Sequence, residues 1–416
     1  MAESGLPGVD AARAAWLAAA ARAGCATLLP AEIVAISDAV GRVTAERVCA
    51  RWSVPADPVA AMDGIAVCSR DAAPDVADPR APVVLPPGGF DLVDTGDLLP
   101  AGRDTVIMRE HVRHRPDGTV EIPAAAAPGG HVRQVGEDVR AGALLLPAHH
   151  RLRPMDAALA ASTGHTTLAV HRRPVVAIVP TGDEIRPIGS DLAAGEVLDT
   201  NSLLLAATLR ETGCAVRPLP IQPDRPDRIT AAVRDAARAA DLVLILAGSS
   251  GGRDDHTAAV LRALGEVVVH GVAVKPGHPV ALGILRGDRS VPVVGVPGYP
   301  VSTALTVELF VLPLLAGLQG RAPPRRPTLD ARLGVDVAPS GVERYVLVTL
   351  REPERSAAPI AEPSHRGAGA LSALVRADGL LHVAAGRQHH AGDPVTIGLL
   401  RDRDDPTLPG RSAVES

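Results

Sequence analysis

Between residues 174 and 320, short apolar runs alternate with helical segments at the spacing of repeated strand–helix units, and this constrains the fold more than any other feature. Residues 175–179 form a β run entering Pro180-Thr181-Gly182-Asp183, and 202–211 read as a helix closing at Gly213. Residues 215–221 read as a strand and 226–240 as a helix, and 242–247 is a fully apolar strand entering Gly248-Ser249-Ser250-Gly251-Gly252. Residues 255–264 are helical, 267–274 and 280–284 read as strands, and 291–296 runs into Pro297-Gly298-Tyr299-Pro300 before a helix to about 316. The pattern predicts an α/β domain on a parallel sheet, with its ligand at the carboxyl ends of the strands. Three of those ends carry loops rich in Gly, Ser or Thr.

At 416 residues the chain has room for about three such units. Residues 11–24 predict a helix, Pro30-Ala31-Glu32 opens a second short helix, and 43–48 is Val-rich. From 51 to 135 short apolar runs are broken by Pro, Gly and Asp, as in a small mostly-β domain. After a Pro-rich linker from Arg321, residues 328–400 read as short β runs, and the charged tail 401–416 reads as disordered. The expected division is 1–50 with 136–173, then 51–135, 174–320 and 328–400.

A net charge of −5 argues against a broad cationic surface for nucleic acid or anionic lipid, so an anionic ligand needs a local site. Strand-sized apolar runs such as 242–247 fall far short of the roughly 20 residues of a membrane span. The Ala-rich stretch 11–26 is interrupted by Arg13 and Arg22 and preceded by Glu3 and Asp10, which speaks against a signal peptide. Cys25, Cys49, Cys68 and Cys214 form no C-x-x-C pair. A reducing, cytoplasmic setting follows as the expectation.

Of the 42 basic residues only Lys275 is not Arg, and Asn201 is the single Asn. Lysine is a compact point donor where arginine is a planar fork, so Lys275 is expected in a tight polar pocket. Asn201, in Asp199-Thr200-Asn201-Ser202, stands where a helix N-cap is expected.

The loop at 248–252 fits three readings. G-x-S-x-G after a strand satisfies a serine-hydrolase elbow at Ser250, with Asp288 and His382 available as partners. Asp254 and Asp255 at the start of the next helix would oppose an oxyanion there. The loop equally suits a plain turn with an Asp cap, or an anion cradle in which backbone N–H groups, Ser249 and Ser250 meet a phosphate and Asp255 holds Mg²⁺. Neither a Walker A motif nor G-x-G-x-x-G occurs. Lys275-Pro276-Gly277-His278-Pro279 presents a cation and a titratable imidazole on one turn, and Ser302 stands as cap or ligand donor.

Ala61-Met62-Asp63-Gly64, Asp94-Thr95-Gly96-Asp97, Val135-Gly136-Glu137-Asp138, Pro180-Thr181-Gly182-Asp183-Glu184, Asp199-Thr200-Asn201, the loop from Gly248 to Asp255, Lys275-Pro276-Gly277 and Val296-Pro297-Gly298 follow one another in a telling order. Over residues 10–400 the chain resembles the molybdopterin molybdenumtransferase family, that of MoeA and the gephyrin E domain. The resemblance implies an elongated homodimer of multidomain α/β and β subunits, with a central three-layer α/β domain of molybdopterin-binding type and smaller β domains, a partner chain completing the site. It implies Mg²⁺-dependent insertion of molybdate into adenylylated molybdopterin with release of AMP, a molybdopterin adenylyltransferase as supplier and molybdoenzymes as recipients. Asp255, Lys275 and Glu184 match catalytic positions, and Asp255 with Asp224 matches the metal ligands. Gly248, Ser249, Ser250, Thr181, Asp183, His278, Gly298, Tyr299, Ser302, Asp63, Thr95, Asp138 and Asn201 match substrate-binding positions. The chain departs from the family at His278, where a second Lys is usual, at Tyr299, where Asn is usual, and at Arg225, where the second of two adjacent acids is usual. The His278 and Arg225 departures favour a second reading, a cofactor-binding protein for storage, sensing or delivery without turnover.

Overall fold

The computed structural model describes residues 5–73, 81–122, 126–247, 256–351, 358–364 and 367–401. They form two compact units, one of residues 31–171 and one that joins the first 30 residues to everything from Arg172 onward.

In the larger unit, β1 (Val175–Pro180), α2 (Thr200–Glu211), β2 (Ala215–Pro218), α3 (Pro226–Ala237), β3 (Leu242–Ala247) and α4 (His256–Leu264) follow the expected alternation. They continue into β4 (Gly265–His270), β5 (Ala281–Leu285), β6 (Val291–Pro297) and α5 (Pro300–Thr306). The six strands run in the order β2-β1-β3-β6-β5-β4. The first four are parallel, whereas β5 and β4 are antiparallel to their neighbours. The expected all-parallel sheet is therefore mixed. Only five residues connect β5 to β6, too few for the crossover that a parallel pair requires.

Helices cover both faces. Ile229 and Val233 of α3, one turn apart, pack with Val260 and Leu261 of α4 on one face. On the other lie Leu205 and Leu209 of α2, residues 305–318, and the N-terminal helix α1 (Val9–Arg22). Trp16 of α1 is fully buried and donates from Nε1 to Gly283 O at 2.9 Å. This corrects the grouping of residues 1–50, because α1 packs on the α/β sheet and not with residues 31–50. The longest apolar helical stretch among the described residues, 300–317, is mostly buried in this same core.

Strands 343–351, 360–363, 328–333, 394–399 and 379–383 close into a barrel, since 379–383 pairs back on 343–351. Val274–Lys275 adds to this barrel alongside Glu343 and Arg344. Residues 402–416, the tail read as disordered, lie outside the described residues.

In the 31–171 unit the expected short helix after Pro30 is a strand, Ala31–Ala35, antiparallel to Thr167–His171. Pairing with a segment over 130 residues away overrides the weak local helix signal, and β-branched Ile33 and Val34 suit a strand. Gly64–Val67 is the central strand between Phe90–Val93 and Thr105–Met108. The four cysteines are all free thiols.

Helix Pro154–Ser162 is capped through Asp156, only 4% exposed. Its carboxylate accepts from Arg153 N at 2.8 Å, Arg153 Nη2 at 2.8 Å and His150 Nε2 at 2.7 Å. The Arg153 side chain is the largest cause holding this carboxyl well below the usual carboxylate range. A depressed folded value gives stability that is present above the unfolded pKa, about 3.9, and lost as pH falls through the folded one. Asp156→Asn is expected to cost about 1–3 kcal/mol at pH 7 and to remove that acid-sensitive part. Denaturant midpoints between pH 7 and 2 check this, and parallel profiles for the two proteins would refute it.

Candidate functional site

The carboxyl ends of β1, β3 and β6 open into a cavity of about 770 Å³. Thr181, Glu184, Asn201, His278, Gly298, Tyr299 and Ser302, all picked out from the sequence, line it. The strand ends explain the convergence, because in a parallel sheet every chain reversal after a strand falls on one side.

Thr181 follows β1 directly and is held by its N–H to Leu246 O at 2.8 Å. It is 5% exposed, and its hydroxyl is buried without a partner among the described residues. Gly182 has φ +145°, and a Cβ there would lie 2.5 Å from Ile185 and 2.9 Å from Glu184 Oε2. Glycine is thus required for the tight turn that brings Glu184 to the wall. Residues 185–186 pair with 197–198 to carry this loop back to α2. Arg186 pairs with Glu196 at 2.6 Å, and Glu196 is held below the usual carboxylate range first by the Ala193 N–H.

Asn201 is not the cap. Asp199 takes that place, its side chain accepting from Ser202 N at 3.0 Å. Asn201 sits inside the first turn of α2 and donates from Nδ2 to Gly298 O at 2.6 Å, tying the helix start to the loop after β6. Ser302 is not a cap either: α5 begins at Pro300, and Ser302 lies within it, 3% exposed and on the cavity wall. Tyr299 is 65% exposed, and its ring lies 3.3 Å from where a Gly369 Cβ would stand.

The Lys275 turn meets the cavity through Pro276–Pro279, with His278 exposed. Lys275 itself is exposed beside the C-terminal barrel, which corrects the expectation of a tight pocket.

Asp183 and Asp224 face each other at the β1 and β2 ends. Asp183 N donates to Asp224 Oδ2 at 3.3 Å, and Asp224 N donates to Asp183 Oδ1 at 3.2 Å. The remaining carboxylate oxygens are hard donors of the kind Mg²⁺ accepts. Among the described residues no cluster of three His, Cys, Asp or Glu stands in metal-binding proximity. Arg225 stands at the N-cap position of α3 without a side-chain capping bond and pairs instead with Asp227 at 2.9 Å. Gly248, Ser249, Ser250 and Asp255 lie outside the described residues.

The hydrolase reading loses both partners offered for it, Asp288 and His382. Asp288 lies between β5 and β6, before Val291, whereas the 248–252 loop follows Ala247, which pairs with Pro297 at the far end of β6. The seven residues of β6, roughly 20 Å end to end, separate the two ends. His382 is bound to Glu343 at 3.0 Å and packs on Tyr345 in the barrel.

Asp63, Thr95 and Asp138 belong to the 31–171 unit. Asp63 Oδ1 accepts from both Thr95 N and Thr95 Oγ1 at 2.8 Å, and the Thr95 N–H is the first cause holding its carboxyl below the usual range. Arg109 reaches Asp94 at 3.0 Å and Asp63 at 3.7 Å, an exposed charged cluster next to a cavity of about 300 Å³. Asp138 is exposed on a turn whose N–H donates to Val54 O at 3.0 Å.

The sequence reading missed the apolar part of the main cavity: Ile185, Val197, Leu198, and Ala368, Gly369 and Leu371 from the C-terminal region. Apolar residues carry no chemical flag, and the small-residue run Gly367-Ala368-Gly369-Ala370 was the one available signal.

A mixed-sheet α/β domain whose parallel strands end in loops around one cavity, followed by a small barrel domain that adds Ala368, Gly369 and Leu371 to the wall, defines the class: an α/β protein built to hold a ligand at its strand ends. Three family models cover the chain in order: "MoeA N-terminal region (domain I and II)" at residues 8–164, "Probable molybdopterin binding domain" at 177–317 and "MoeA C-terminal region (domain IV)" at 330–400. The molybdopterin molybdenumtransferase of Haemophilus influenzae is 33% identical over 305 residues, 71% of this chain and 75% of the relative. Molybdopterin molybdenumtransferase 2 of Mycobacterium tuberculosis is 31% identical over 394 residues, 86% and 94% of the two chains. Two crystal structures of the molybdopterin biosynthesis MoeA protein from Pyrococcus horikoshii superpose with TM-scores of 0.79 and 0.75 at 29% and 26% identity, covering 95% of this chain and all of theirs. The chain belongs to the molybdopterin molybdenumtransferase (MoeA) family, transferases of molybdenum cofactor biosynthesis.

Proposed function

We propose that this protein inserts molybdate into adenylylated molybdopterin, with Mg²⁺-dependent release of AMP. The observation that carries the reading is the convergence of Thr181, Glu184, Asn201, His278, Tyr299 and Ser302 on one cavity at the strand ends. Its volume, about 770 Å³, suits a pterin with its phosphate tail.

Asp183 and Asp224 fit a small cation that keeps several waters and takes phosphate oxygens, and the sequence adds Asp255. Mg²⁺ bound there would neutralise charge developing on the phosphate that separates from AMP. Thr181 and Ser302 hydroxyls orient substrate oxygens, and the apolar wall of Val197, Leu198 and Leu371 keeps bulk water from the heterocycle. His278, on the cavity wall, places a donor for the molybdate or phosphate anion, and Lys275 adds a positive charge at the start of the same turn. We further propose a homodimer in which the Asp63–Thr95–Arg109 cluster of a second copy completes the site. The exposure of that charged cluster supports this.

The test is AMP release by the purified chain from adenylylated molybdopterin. Release that needs both Mg²⁺ and molybdate is the expected result, and no release under any combination would overturn the reading.

A further inference from the structure

Hydrogen bonding fixes the orientation of one amide on the cavity wall. Asn201 donates from Nδ2 to Gly298 O at 2.6 Å. A carbonyl oxygen only accepts, so the amide cannot be turned round without losing this bond, and Oδ1 must occupy its other side. Among the described residues that Oδ1, which is buried, has no hydrogen-bond partner, and neither has the Thr181 hydroxyl on the same wall. Buried polar atoms in folded proteins are almost always satisfied by protein, water or ligand. Both residues line the cavity, so the partner these atoms call for belongs to what the cavity holds.

The two atoms differ in what they accept. A hydroxyl can donate or accept, whereas an amide oxygen accepts only. Phosphate and molybdate at neutral pH present mainly acceptor oxygens, which would meet the Asn201 lone pairs without a proton between them. Glu184, on the same wall, adds a second acceptor group and the same sign of field. This end of the cavity therefore selects a hydrogen-bond donor, and the planar heterocycle's N–H groups are the donors a pterin offers.

We infer that Asn201 Oδ1 accepts a hydrogen bond from the exocyclic 2-amino group of the pterin, so that Asn201 is the residue that orients the heterocycle in the cavity. The inference rests on the pterin reading above and adds the direction in which the substrate lies. The amino edge points to Asn201 and Glu184, and Thr181 Oγ1 donates to the neighbouring 4-oxo group. The single asparagine of the chain is then accounted for by chemistry: an aspartate would lose the donor to Gly298, and a serine would not bridge both partners.

The test compares pterin-6-carboxylate with lumazine-6-carboxylate, in which an oxo group replaces the 2-amino group, by calorimetric titration of the full chain. Wild type is expected to prefer the pterin by about tenfold or more. Asn201→Leu and Asn201→Asp both lose the bond to Gly298, but only Asp keeps an acceptor. The preference should therefore vanish in Asn201→Leu and survive in Asn201→Asp, a split that loss of the loop tie alone would not produce. Equal affinities in wild type, the same ratio in both variants, or no binding of either probe to wild type would overturn the inference. AMP release in any of those cases leaves the functional reading standing. A retained pterin preference without AMP release overturns that reading alone.

Discussion

Asp255→Ala is expected to lower AMP release by about 10²–10³-fold while leaving pterin binding nearly unchanged. A carboxylate that holds a cation against a phosphate acts on charge that develops as the bond breaks, so its loss falls on kcat more than on KM. Chelation of Mg²⁺ should reproduce the loss in wild type and add nothing in the variant. Asp183→Ala and Asp224→Ala should instead raise the Mg²⁺ concentration needed for half-maximal release, because their mutual N–H to carboxylate bonds preorganise the oxygen donors. Release rates measured over a Mg²⁺ titration separate these outcomes. Full turnover in Asp255→Ala would remove it from the machinery.

The parts of this site that the sequence revealed are those where backbone geometry demands a particular residue. Thr181-Gly182, Pro276-Gly277 and Pro297-Gly298 mark strand ends because the chain turns sharply there, and all three loops meet at the cavity. Roles set by tertiary partners were harder to read. Asn, Asp and Ser all suit a cap, so the sequence does not distinguish Asn201 from Asp199 there, and the structure shows Asp199 in that place and Asn201 free to reach Gly298. Lys275 drew notice as the lone lysine, yet rarity says nothing of burial, and the residue is exposed. The strand at 31–35 and the docking of α1 both depend on partners more than 100 residues distant, beyond the reach of periodicity. The antiparallel β5–β6 pair was legible in principle, since a five-residue connection permits no other arrangement. Ala368, Gly369 and Leu371 reach the cavity only because the chain after residue 320 folds back against the same unit.

Gly64→Ala is expected to destabilise the 31–171 unit and to weaken AMP release through Asp63. Gly64 begins the central strand of its sheet, opposite Val93 on one side and Met108 on the other. A Cβ at this position would stand 1.9 Å from Ile107 O, 2.9 Å from Ile107 C and 3.0 Å from Arg109 N. All three atoms are backbone, so no side chain can rotate away and the strand itself must move. Overpacking of this kind costs about 1–3 kcal/mol or more. The strain falls beside the charged cluster, because Arg109 N donates to Asp63 O at 2.9 Å and Asp63 Oδ1 is held by Thr95. Shifting Arg109 pulls Asp63 out of register with Thr95 and removes the N–H that holds its carboxyl below the usual range. Ile65 and Val67, buried in the small core behind the strand, follow the same displacement. Hydrogen exchange locates the damage: amides of residues 64–67, 90–93 and 105–108 should lose protection, while those around Trp16 and β3 in the other unit keep theirs. A variant with wild-type protection in all three strands would show that the sheet absorbs the methyl group, and the steric argument at Gly64 would fail.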